Sequence, residues 1–375
     1  MAVVIEVLDG GLATTVQDAG RPGYRSLGVA LSGALDPLWL ECANALVGNA
    51  ADATALEMRL TGPRLRVAGG RVRVALVGQA EGEVRRAVSR RLTFAPWQSM
   101  ALEEGDELRI RAVRGGIAYL AVSGGIDTPP QLGSRATHLR AGMGGVQGRA
   151  LMAGDRLPAG AVAPNGPERR QAAFLHETGP IRLLPGPQDD YFTRDALRAL
   201  IEGEHIVSRD ADRMGLRLQG PRLEHDAALG DEIPASRWAA PRNAGAPSGG
   251  SEATRAWGSF ISDGVAPGTL QVPPDGQPIL LLADCQTVGG YPKIATVIRA
   301  DLPRLAHLLP DDRLRFAIAT RAEALAALRA QRARLDAWRA GIAACRPAGD
   351  IDEAALYSAN LISGAMYDGA TGDPQ

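Results

Sequence analysis

The chain has 375 residues, 45% of them apolar and 22% charged, and a formal net charge of −1. This length accommodates two domains of ordinary size with sizeable cores. The balanced charge and the 4% aromatic content argue against a surface for nucleic acid or an anionic membrane. No segment reaches the ~18 apolar residues of a membrane-spanning helix, and the start MAVVIEV lacks the basic region of a signal peptide. We therefore expect a soluble, cytoplasmic protein.

The cysteines and histidines show no metal-binding spacing. The three cysteines are far apart, without a CxxC pair, which is typical of a protein from a reducing compartment and not of a disulfide scaffold. The five histidines contain no HxxxH pair, so a zinc hydrolase of that type is not expected. From the sequence we predict no metal site.

Short apolar runs between glycine, proline and aspartate predict many short strands, as in barrels or sandwiches. These runs are 71–77, 107–113, 118–122, 181–184, 269–272, 279–283 and 313–318. Apolar residues at helical spacing and capping residues predict a few helices, at 38–47, 191–200, 301–309 and 321–340. The sequence thus predicts a mainly β protein with few helices, the longest of them near the C-terminus.

Parts of the chain repeat. RLTGPRL at 59–65 matches RLQGPRL at 217–223, and DRL recurs at 155–157 and 312–314 with nearly the same separation. Landmarks repeated in order indicate two related β domains. We place them at 1–166 and 167–345, followed by a loosely attached tail at 346–375, with a mobile loop at 234–251 inside the second domain.

In the first half, polar residues cluster in the glycine-bracketed segment TTVQDAGRPGY at 14–24. Gln17 can donate and accept hydrogen bonds, Asp18 can take a proton, and Arg21 can bind a carboxylate or phosphate. Alternatively, Asp18 and Arg21 form an ion pair that only fixes the loop. Ser32 and Asp36 precede the first predicted helix, and one of them is expected to cap it.

In the second half, Lys293 is the only lysine among 41 basic residues. It follows a predicted buried strand, two glycines and Tyr291. Unlike arginine, a buried lysine can lose its proton and act as acid or base. The alternative is a lysine retained by chance on a solvated turn. Neutral polar side chains and an arginine accompany it in this half: Arg213, Gln271, Gln286 and Thr287.

The sequence contains neither a Gly-x-x-x-x-Gly-Lys-Ser/Thr phosphate loop nor a Gly-x-Ser-x-Gly nucleophile elbow. The chain by itself therefore offers no ATP motif and no complete nucleophile–base triad. A partner protein would supply what is missing.

Six blocks resemble the allophanate hydrolase subunit 2 family, whose members include the C-type subunit of 5-oxoprolinase, the Kip-type antagonist of a kinase inhibitor, and the carboxyltransferase part of urea carboxylase. The blocks occur in order over about residues 3–320: TTVQDAGRPGY (14–24), GVALSGALD (28–36), ANALVGN (43–49), DRMGLRL (212–218), QVPPDGQP (271–278) and QTVGGYPK (286–293).

The resemblance implies two tandem cyclophilin-like β-barrel domains, a subunit 1-type companion and a small amide, lactam or urea-like substrate. The leading hypothesis is a subunit of an ATP-dependent 5-oxoprolinase, together with a LamB/YcsF-type subunit, that opens 5-oxo-L-proline to L-glutamate. ATP would act at the level of the complex. Lys293, Arg21 and Asp18 are the candidate catalytic residues. The candidate substrate-binding residues are Gln17, Ser32, Asp36, Arg213, Gln271, Gln286, Thr287 and Tyr291.

Two alternatives remain. The first is carboxyl transfer to urea or a related amide, with biotin on a carrier supplied in trans. The second is a non-catalytic regulator that binds a protein inhibiting a histidine kinase. The companion proteins found with this chain would discriminate between them.

Overall fold

The computed structural model describes residues 3–87, 91–160, 166–226 and 262–345. The predicted loop at 234–251 and the predicted tail at 346–375 lie outside the described residues. Within them the protein is mainly β with few helices, as predicted. The helices are α1 (Pro37–Val47), α2 (Arg194–Glu202), α3 (Leu302–Leu305) and α4 (Arg321–Ala340), with short 3-10 turns at Arg25–Leu27 and Asp189–Tyr191.

The ends of the helices follow from their capping residues. The Asp36 carboxylate accepts hydrogen bonds from the first backbone amides of α1, and Gly48, with φ of 84°, ends that helix in the left-handed region. The Thr193 hydroxyl caps α2 by accepting from the backbone amide of Ala196. Thr320 and Glu323 form a reciprocal capping box at the start of α4.

The first half forms a large sheet that has eleven strands within the described residues. Its strands are β1 (Val4–Asp9), β2 (Thr15–Gln17), β3 (Ala55–Met58), β4 (Arg64–Ala68), β5 (Val72–Arg85), β6 (Arg91–Phe94), β7 (Gln98–Leu102), β8 (Glu107–Val122), β9 (Arg156–Pro158), β10 (Arg169–Arg170) and β21 (Ala343–Ala344). Their order is β21-β10-β7-β5-β8-β4-β1-β9, with β2, β3 and β6 paired beside this path.

The second half forms a sheet of eight strands within the described residues. Its strands are β11 (Ile181–Pro185), β12 (His205–Ala211), β13 (Gly215–Gln219), β15 (Thr269–Gln271), β16 (Ile279–Leu281), β18 (Lys293–Val297), β19 (Arg313–Leu314) and β20 (Phe316–Ile318). Their order is β19-β12-β13-β16-β15-β18-β11-β20. A small separate ladder joins β14 (Asp263–Gly264) to β17 (Val288–Gly289).

This second sheet is a nearly closed barrel. The two strands at the ends of its path, β19 and β20, are consecutive in the chain and are separated only by Arg315. The parallel pairing of β20 with β11, from Ile181↔Phe316 to Leu183↔Ile318, brings the sheet back onto itself. Closure of this kind leaves few unpaired strand edges.

Two apolar cores hold the fold together. One lies inside the first sheet, around residues such as Val7, Leu76 and Phe94. The other is continuous from α1, through Trp39 and Leu46, into the second barrel. The two halves therefore share a core as well as a chain. In the part of the chain that the structure describes, no helix is both long and apolar enough to cross a membrane.

The predicted division into domains 1–166 and 167–345 stays a prediction. Strands β1–β9 lie before residue 166 in the first sheet and the eight strands of the second sheet lie after it, but β10 (Arg169–Arg170) belongs to the first sheet. β21 follows α4 and returns to the first sheet, where it pairs with β10. The C-terminal helix thus leads the chain back to its first half.

Candidate active site

The polar turns of the two halves meet at one junction. The backbone amide of Ser32 donates to the carbonyl of Ala283 at 3.0 Å. The Arg25 guanidinium reaches the same region, where it donates to the carbonyls of Val265 and, at 3.2 Å, Gln286. The turns that carry Arg25 and Ser32 are therefore docked against residues 283–286 of the second half.

Two glycines let the turns around residues 20 and 33 of the first half pack against each other at this junction. Gly20 and Gly33 have φ of 85° and 83°, in the region that favours glycine. A Cβ on Gly33 would lie 2.6 Å from the backbone nitrogen of Gly20. Ser32, between them, has a φ of 54°. A non-glycine residue held in this region is strained, and such strain concentrates at functional sites.

The Arg21 side chain is fully buried. One terminal nitrogen, Nη2, donates to the carbonyl of Ala136. Among the described residues, no hydrogen-bond partner is present for Nε and Nη1 of Arg21, for Oγ of Ser32 or for Oε1 of Gln17. Burial lowers the pKa of Arg21, and the charges of Asp18 and Asp284 oppose that effect. Because buried polar atoms rarely stay unpaired, these atoms mark a place for a small polar guest or for water.

Asp18 has a different role in this geometry. Its carboxylate accepts hydrogen bonds from the amide of Gly20 at 2.8 Å, from Oγ of Ser134 at 2.7 Å and from the amide of Arg135 at 2.6 Å. These bonds fix the loop that carries Arg21, so the role of Asp18 that the structure shows is to hold this loop in place. Its proposed action as a proton acceptor stays a prediction.

Lys293 opens β18 and lies opposite Gln271 of β15. Only 2% of its surface is exposed, and its ammonium donates to Oε1 of Gln188 at 3.1 Å. Burial lowers the pKa of Lys293, while the charge of Asp263 opposes the shift. The sole lysine is thus a buried group with a neutral partner, and not a cation on a solvated turn.

A chain of neutral amides ends at Gln271, the strand partner of Lys293. The Gln286 amide donates to Oε1 of Gln271 at 3.2 Å, and the Gln271 amide donates to the carbonyl of Tyr291 at 3.3 Å. The carbonyl of Thr287 accepts from the amide of Val265 at 3.0 Å. Gln286 and Tyr291 are exposed whereas Gln271 is buried, so this amide chain runs from the surface to a buried residue opposite Lys293 in the sheet.

A buried ionic network joins the two halves beside this junction. Arg213 donates from Nε and Nη2 to the Asp284 carboxylate at 2.9 and 3.1 Å, and from Nη1 to Glu57 of the first half. Its Nη2 also donates to the carbonyl of Gly33 at 2.6 Å. Burial would lower the pKa of Arg213, but the Glu57 and Asp284 carboxylates outweigh it and raise the pKa. Arg213 therefore holds the halves together, and its predicted contact with substrate stays a prediction.

Tyr119 extends this network toward α1. Its hydroxyl donates to Oε2 of Glu57 at 2.7 Å and accepts from the backbone amide of Asp36 at 2.9 Å. Burial raises the pKa of Tyr119, and the Glu57 carboxylate raises it further, so the hydroxyl remains a donor. The position of the Asp36 backbone thus depends on the same contacts that join the halves.

Asp36 contacts two histidines that sequence spacing did not connect. Its Oδ1 caps α1, and its Oδ2 lies 2.7 Å from Nε2 of His176 and 2.8 Å from Nε2 of His307. Burial raises the pKa of Asp36, but the two imidazoles outweigh it and hold the pKa at about 2. These three side chains are the group within the described residues whose ligand atoms could hold a metal ion.

Sequence reasoning missed several residues at these sites, among them Gln188. Its oxygen accepts from both the backbone amide and the ammonium of Lys293, each at 3.1 Å. The signal was the turn PGPQ at 185–188 directly after a strand. Gly186 lets this turn approach β18, since a Cβ there would lie 2.0 Å from the carbonyl oxygen of Lys293.

Gly186→Ala is expected to lower the free energy of unfolding by about 1–3 kcal/mol, because the added methyl group overpacks the contact between this turn and β18. Urea denaturation measures the change. Gly264→Ala is the matched control, since a Cβ at Gly264 meets no atom within 4 Å, and its effect is expected to stay within about 1 kcal/mol. Equal effects of the two substitutions would contradict the packing described for Gly186.

The family is decided by a comparison with known proteins. The model "Carboxyltransferase domain, subdomain A and B" matches residues 27–318, which extend over both sheets. The chain belongs to this carboxyltransferase-domain family. Its predicted resemblance to the C-type subunit of 5-oxoprolinase and to urea carboxylase is confirmed by relatives of both kinds.

Among carboxyltransferase-domain relatives, the chain is 35% identical to the C-type 5-oxoprolinase subunit of Escherichia coli (strain K12), over 90% of this chain and 98% of that protein. It is 32% identical to a "Putative urea carboxylase" of Emericella nidulans, over 83% of this chain but only 24% of that protein. The crystal structure of the Kluyveromyces lactis urea carboxylase is similar with a TM-score of 0.73 at 27% identity, covering 89% of this chain and 29% of that one.

Proposed function

We propose that this carboxyltransferase-domain protein is a subunit of an ATP-dependent 5-oxoprolinase. The complex opens the lactam ring of 5-oxo-L-proline to L-glutamate together with a subunit 1-type companion and a LamB/YcsF-type subunit. The similarity over nearly the whole length of the E. coli 5-oxoprolinase subunit supports this assignment. The urea carboxylase relative, by contrast, is about four times as long as the matched region.

The reaction is difficult because a lactam is a resonance-stabilised amide. Transfer of the γ-phosphoryl group of ATP to the lactam oxygen, with loss of ADP, activates the ring carbon for attack by water. Cleavage of the carbon–nitrogen bond then frees the amine and leaves an acyl phosphate, which a second water molecule hydrolyses to the carboxylate and inorganic phosphate. Since the chain has no phosphate-loop motif, its companions supply the ATP site. This chain contributes groups that bind the lactam and stabilise the negative charge that develops on its oxygen.

The burial of Lys293 carries the proposal, and the state of Arg21 supports it. The sole ammonium group of the chain is buried in the second barrel, beside neutral amides, with a pKa lowered by its burial. At the junction of the halves, the buried Arg21 retains unpaired donors among the described residues. A small molecule with a carboxylate and an amide, such as 5-oxoproline, matches a cationic fork and a set of amide donors and acceptors.

In this proposal the roles divide by chemistry. Arg21 binds the carboxylate of the substrate or the charge on its oxygen, and Lys293 donates to the developing anion or exchanges a proton with the ring nitrogen. Gln17, Gln271 and Gln286 orient the amide. The network of Arg213, which is itself fully paired, keeps the two halves in register.

The test is reconstitution of the complex from separately purified subunits. Glutamate release from 5-oxoproline is expected to require ATP, this chain and both companions, and to fall to background when any one is left out. Release at an unchanged rate without this chain would contradict the proposal. Binding of the companions, followed by gel filtration, shows separately whether the complex has assembled.

A carboxyltransferase function is the second candidate, because the family model carries that description and urea carboxylase is among the relatives. The reaction would move a carboxyl group from biotin to urea or a related amide. The only lysine of the chain is buried Lys293, so the biotin would have to be attached to another protein of the complex. A streptavidin-reactive partner that co-purifies with the chain, and carboxylation of urea by that complex, would favour this candidate.

A further inference from the structure

The cluster formed by Asp36, His176 and His307 is built from three separate parts of the chain. Asp36 caps α1 in the first half, His176 lies in the segment before β11, and His307 follows α3 in the second half. One ligand atom from each residue lies within 4.8 Å of the other two. The proposed oxoprolinase reaction uses neither histidine, so the cluster needs its own explanation.

The Asp36 carboxylate is oriented before any ligand binds. Oδ1 accepts from the amides of Leu38 and Trp39 at 3.0 and 3.1 Å, and the backbone amide of Asp36 donates to Tyr119. The side chain is fully buried, and only Oδ2 remains to face the imidazoles. A carboxylate held in this way is a preorganised ligand, because its other oxygen is already occupied.

The tautomer of His307 follows from its second contact. Its Nδ1 lies 3.0 Å from the carbonyl oxygen of Gly115. A carbonyl oxygen can only accept, so Nδ1 carries the hydrogen, and in the neutral ring Nε2 then has a free lone pair. That lone pair lies 2.8 Å from a carboxylate oxygen of Asp36. In the metal-free chain a proton on Nε2 makes this contact a hydrogen bond, and a bound metal ion would take the place of that proton.

A histidine that binds metal typically donates one ring N–H to a backbone carbonyl or a carboxylate while its other nitrogen faces the ion, and the Gly115 carbonyl holds Nδ1 of His307 in this way. The backbone permits this approach only because position 116 is glycine. A Cβ on Gly116 would lie 2.7 Å from the Ala306 carbonyl oxygen and 2.9 Å from the Cα of His307. The residues around His307 thus favour the orientation in which Nε2 points to Asp36.

The surroundings shield the cluster but leave one side open. The Trp39 ring stacks on His176, with ring centroids 5.7 Å apart, and meets the edge of His307 at 4.3 Å. The histidine side chains are 13% and 19% exposed, so an ion can enter from their side. A cavity of about 10 Å³ beside His176 is close to the smallest that holds a water molecule.

We propose that Asp36, His176 and His307 form a binding site for a divalent transition-metal ion, with Zn²⁺ as the preferred ion. Two imidazole nitrogens, one carboxylate oxygen and a water molecule make a tetrahedral set that suits Zn²⁺ and not Mg²⁺ or Ca²⁺. Bonds of about 2.0–2.1 Å require the nitrogen–oxygen separations to widen to roughly 3.3 Å. The two partly exposed histidines can make this movement.

The bound ion would join the first half, the connecting segment and the second half. It would therefore act on the stability of the folded chain, and the proposal does not depend on the 5-oxoprolinase reaction. At a zinc concentration 100 times the Kd, the ratio of folded to unfolded chain is expected to rise about 100-fold.

Titration of the tag-free, chelator-treated full chain with Zn²⁺ tests this proposal. Calorimetry and elemental analysis are expected to give one ion per chain. His176→Gln and His307→Gln are each expected to weaken binding by more than about 10-fold. His138→Gln is the matched control, because His138 accepts a hydrogen bond from Ala141 in a separate loop, and it is expected to bind zinc like the native chain.

A second measurement needs no variant. X-ray absorption of the zinc-loaded native chain is expected to show only nitrogen and oxygen neighbours, including two imidazoles. Sulfur bonded to the zinc would assign the ion to a cysteine and overturn the proposal. Absence of zinc binding by the native chain, or unchanged affinity in the variant carrying both His176→Gln and His307→Gln, would overturn it as well.

Discussion

Lys293→Met is expected to lower the kcat of the reconstituted 5-oxoprolinase complex by about 10²–10³-fold, the usual cost of removing one donor that stabilises a developing anion. Methionine keeps the length and the apolar part of the side chain and removes only the ammonium group. The measurement is ATP-dependent glutamate release at saturating 5-oxoproline. Because Lys293 is buried and its ammonium donates to Oε1 of Gln188, the loss should reside in the chemical step.

The stability of the same variant separates a catalytic loss from a folding defect. A charged lysine in a buried position loses hydration, so the methionine variant is expected to unfold at the same or a higher urea concentration than the native chain. Lys293→Arg keeps a charge that cannot be removed. Recovery of activity with arginine would assign Lys293 an electrostatic role, and no recovery would assign it a proton-transfer role. Activity within twofold of native in the methionine variant would contradict the proposed site.

Arg213→Met is expected to destabilise the folded chain by about 3–5 kcal/mol, because it leaves the carboxylates of Glu57 and Asp284 buried without their shared cation. The loss should be visible as a lower midpoint of urea denaturation. It should also loosen the junction of the halves, since Arg213 donates to the carbonyl of Gly33 in the first half.

Arg66→Met provides the control for Arg213→Met. The Arg66–Glu6 pair has a similar distance of 2.7 Å, but the Arg66 side chain is 46% exposed. Pairs of this kind contribute about 0.2–1 kcal/mol. If both substitutions lower the free energy of unfolding by the same small amount, the buried Arg213 network does not stabilise the junction of the halves.

Local signals predicted the regular elements well. The alternation of Ala, Leu and Arg after Thr320 predicts a helix at 321–340, which α4 matches residue for residue. Asp36 and Thr193 act as caps because short side chains with an oxygen can reach the exposed amides of a first turn. Such features depend on residues a few positions apart, which the sequence displays directly.

Longer-range features were harder to predict. The runs 107–113 and 118–122 are one strand, β8, because Gly115 and Gly116 turn its backbone without ending it. The repeated Gly-Pro-Arg-Leu motif does not mark equivalent structure. In the first copy, RLTGPRL at 59–65, the last two residues lie in β4. In the second copy, RLQGPRL at 217–223, the first three residues lie in β13, and the Gly-Pro comes after that strand.

The candidate site shows the same difference between local features, which the sequence predicts, and long-range contacts, which it does not. The burial of Lys293 could be predicted because the chain uses arginine everywhere else, and the structure buries this lysine at the start of β18. Arg213 pairs with Glu57, which is 156 positions away, and Asp36 pairs with His307, which is 271 positions away. No spacing rule predicts contacts of that kind, since only the packing of the two halves around a shared core creates them.

The titration of Lys293 itself tests the central claim most directly. Because the chain contains a single lysine, ¹³C-lysine labelling gives one side-chain signal, even in a complex with unlabelled companions. Burial is expected to place its pKa below the ordinary value of ~10.4, and addition of 5-oxoproline to the complex is expected to move the signal. A pKa at or above the ordinary value, together with no response to 5-oxoproline, would contradict a site built on this lysine.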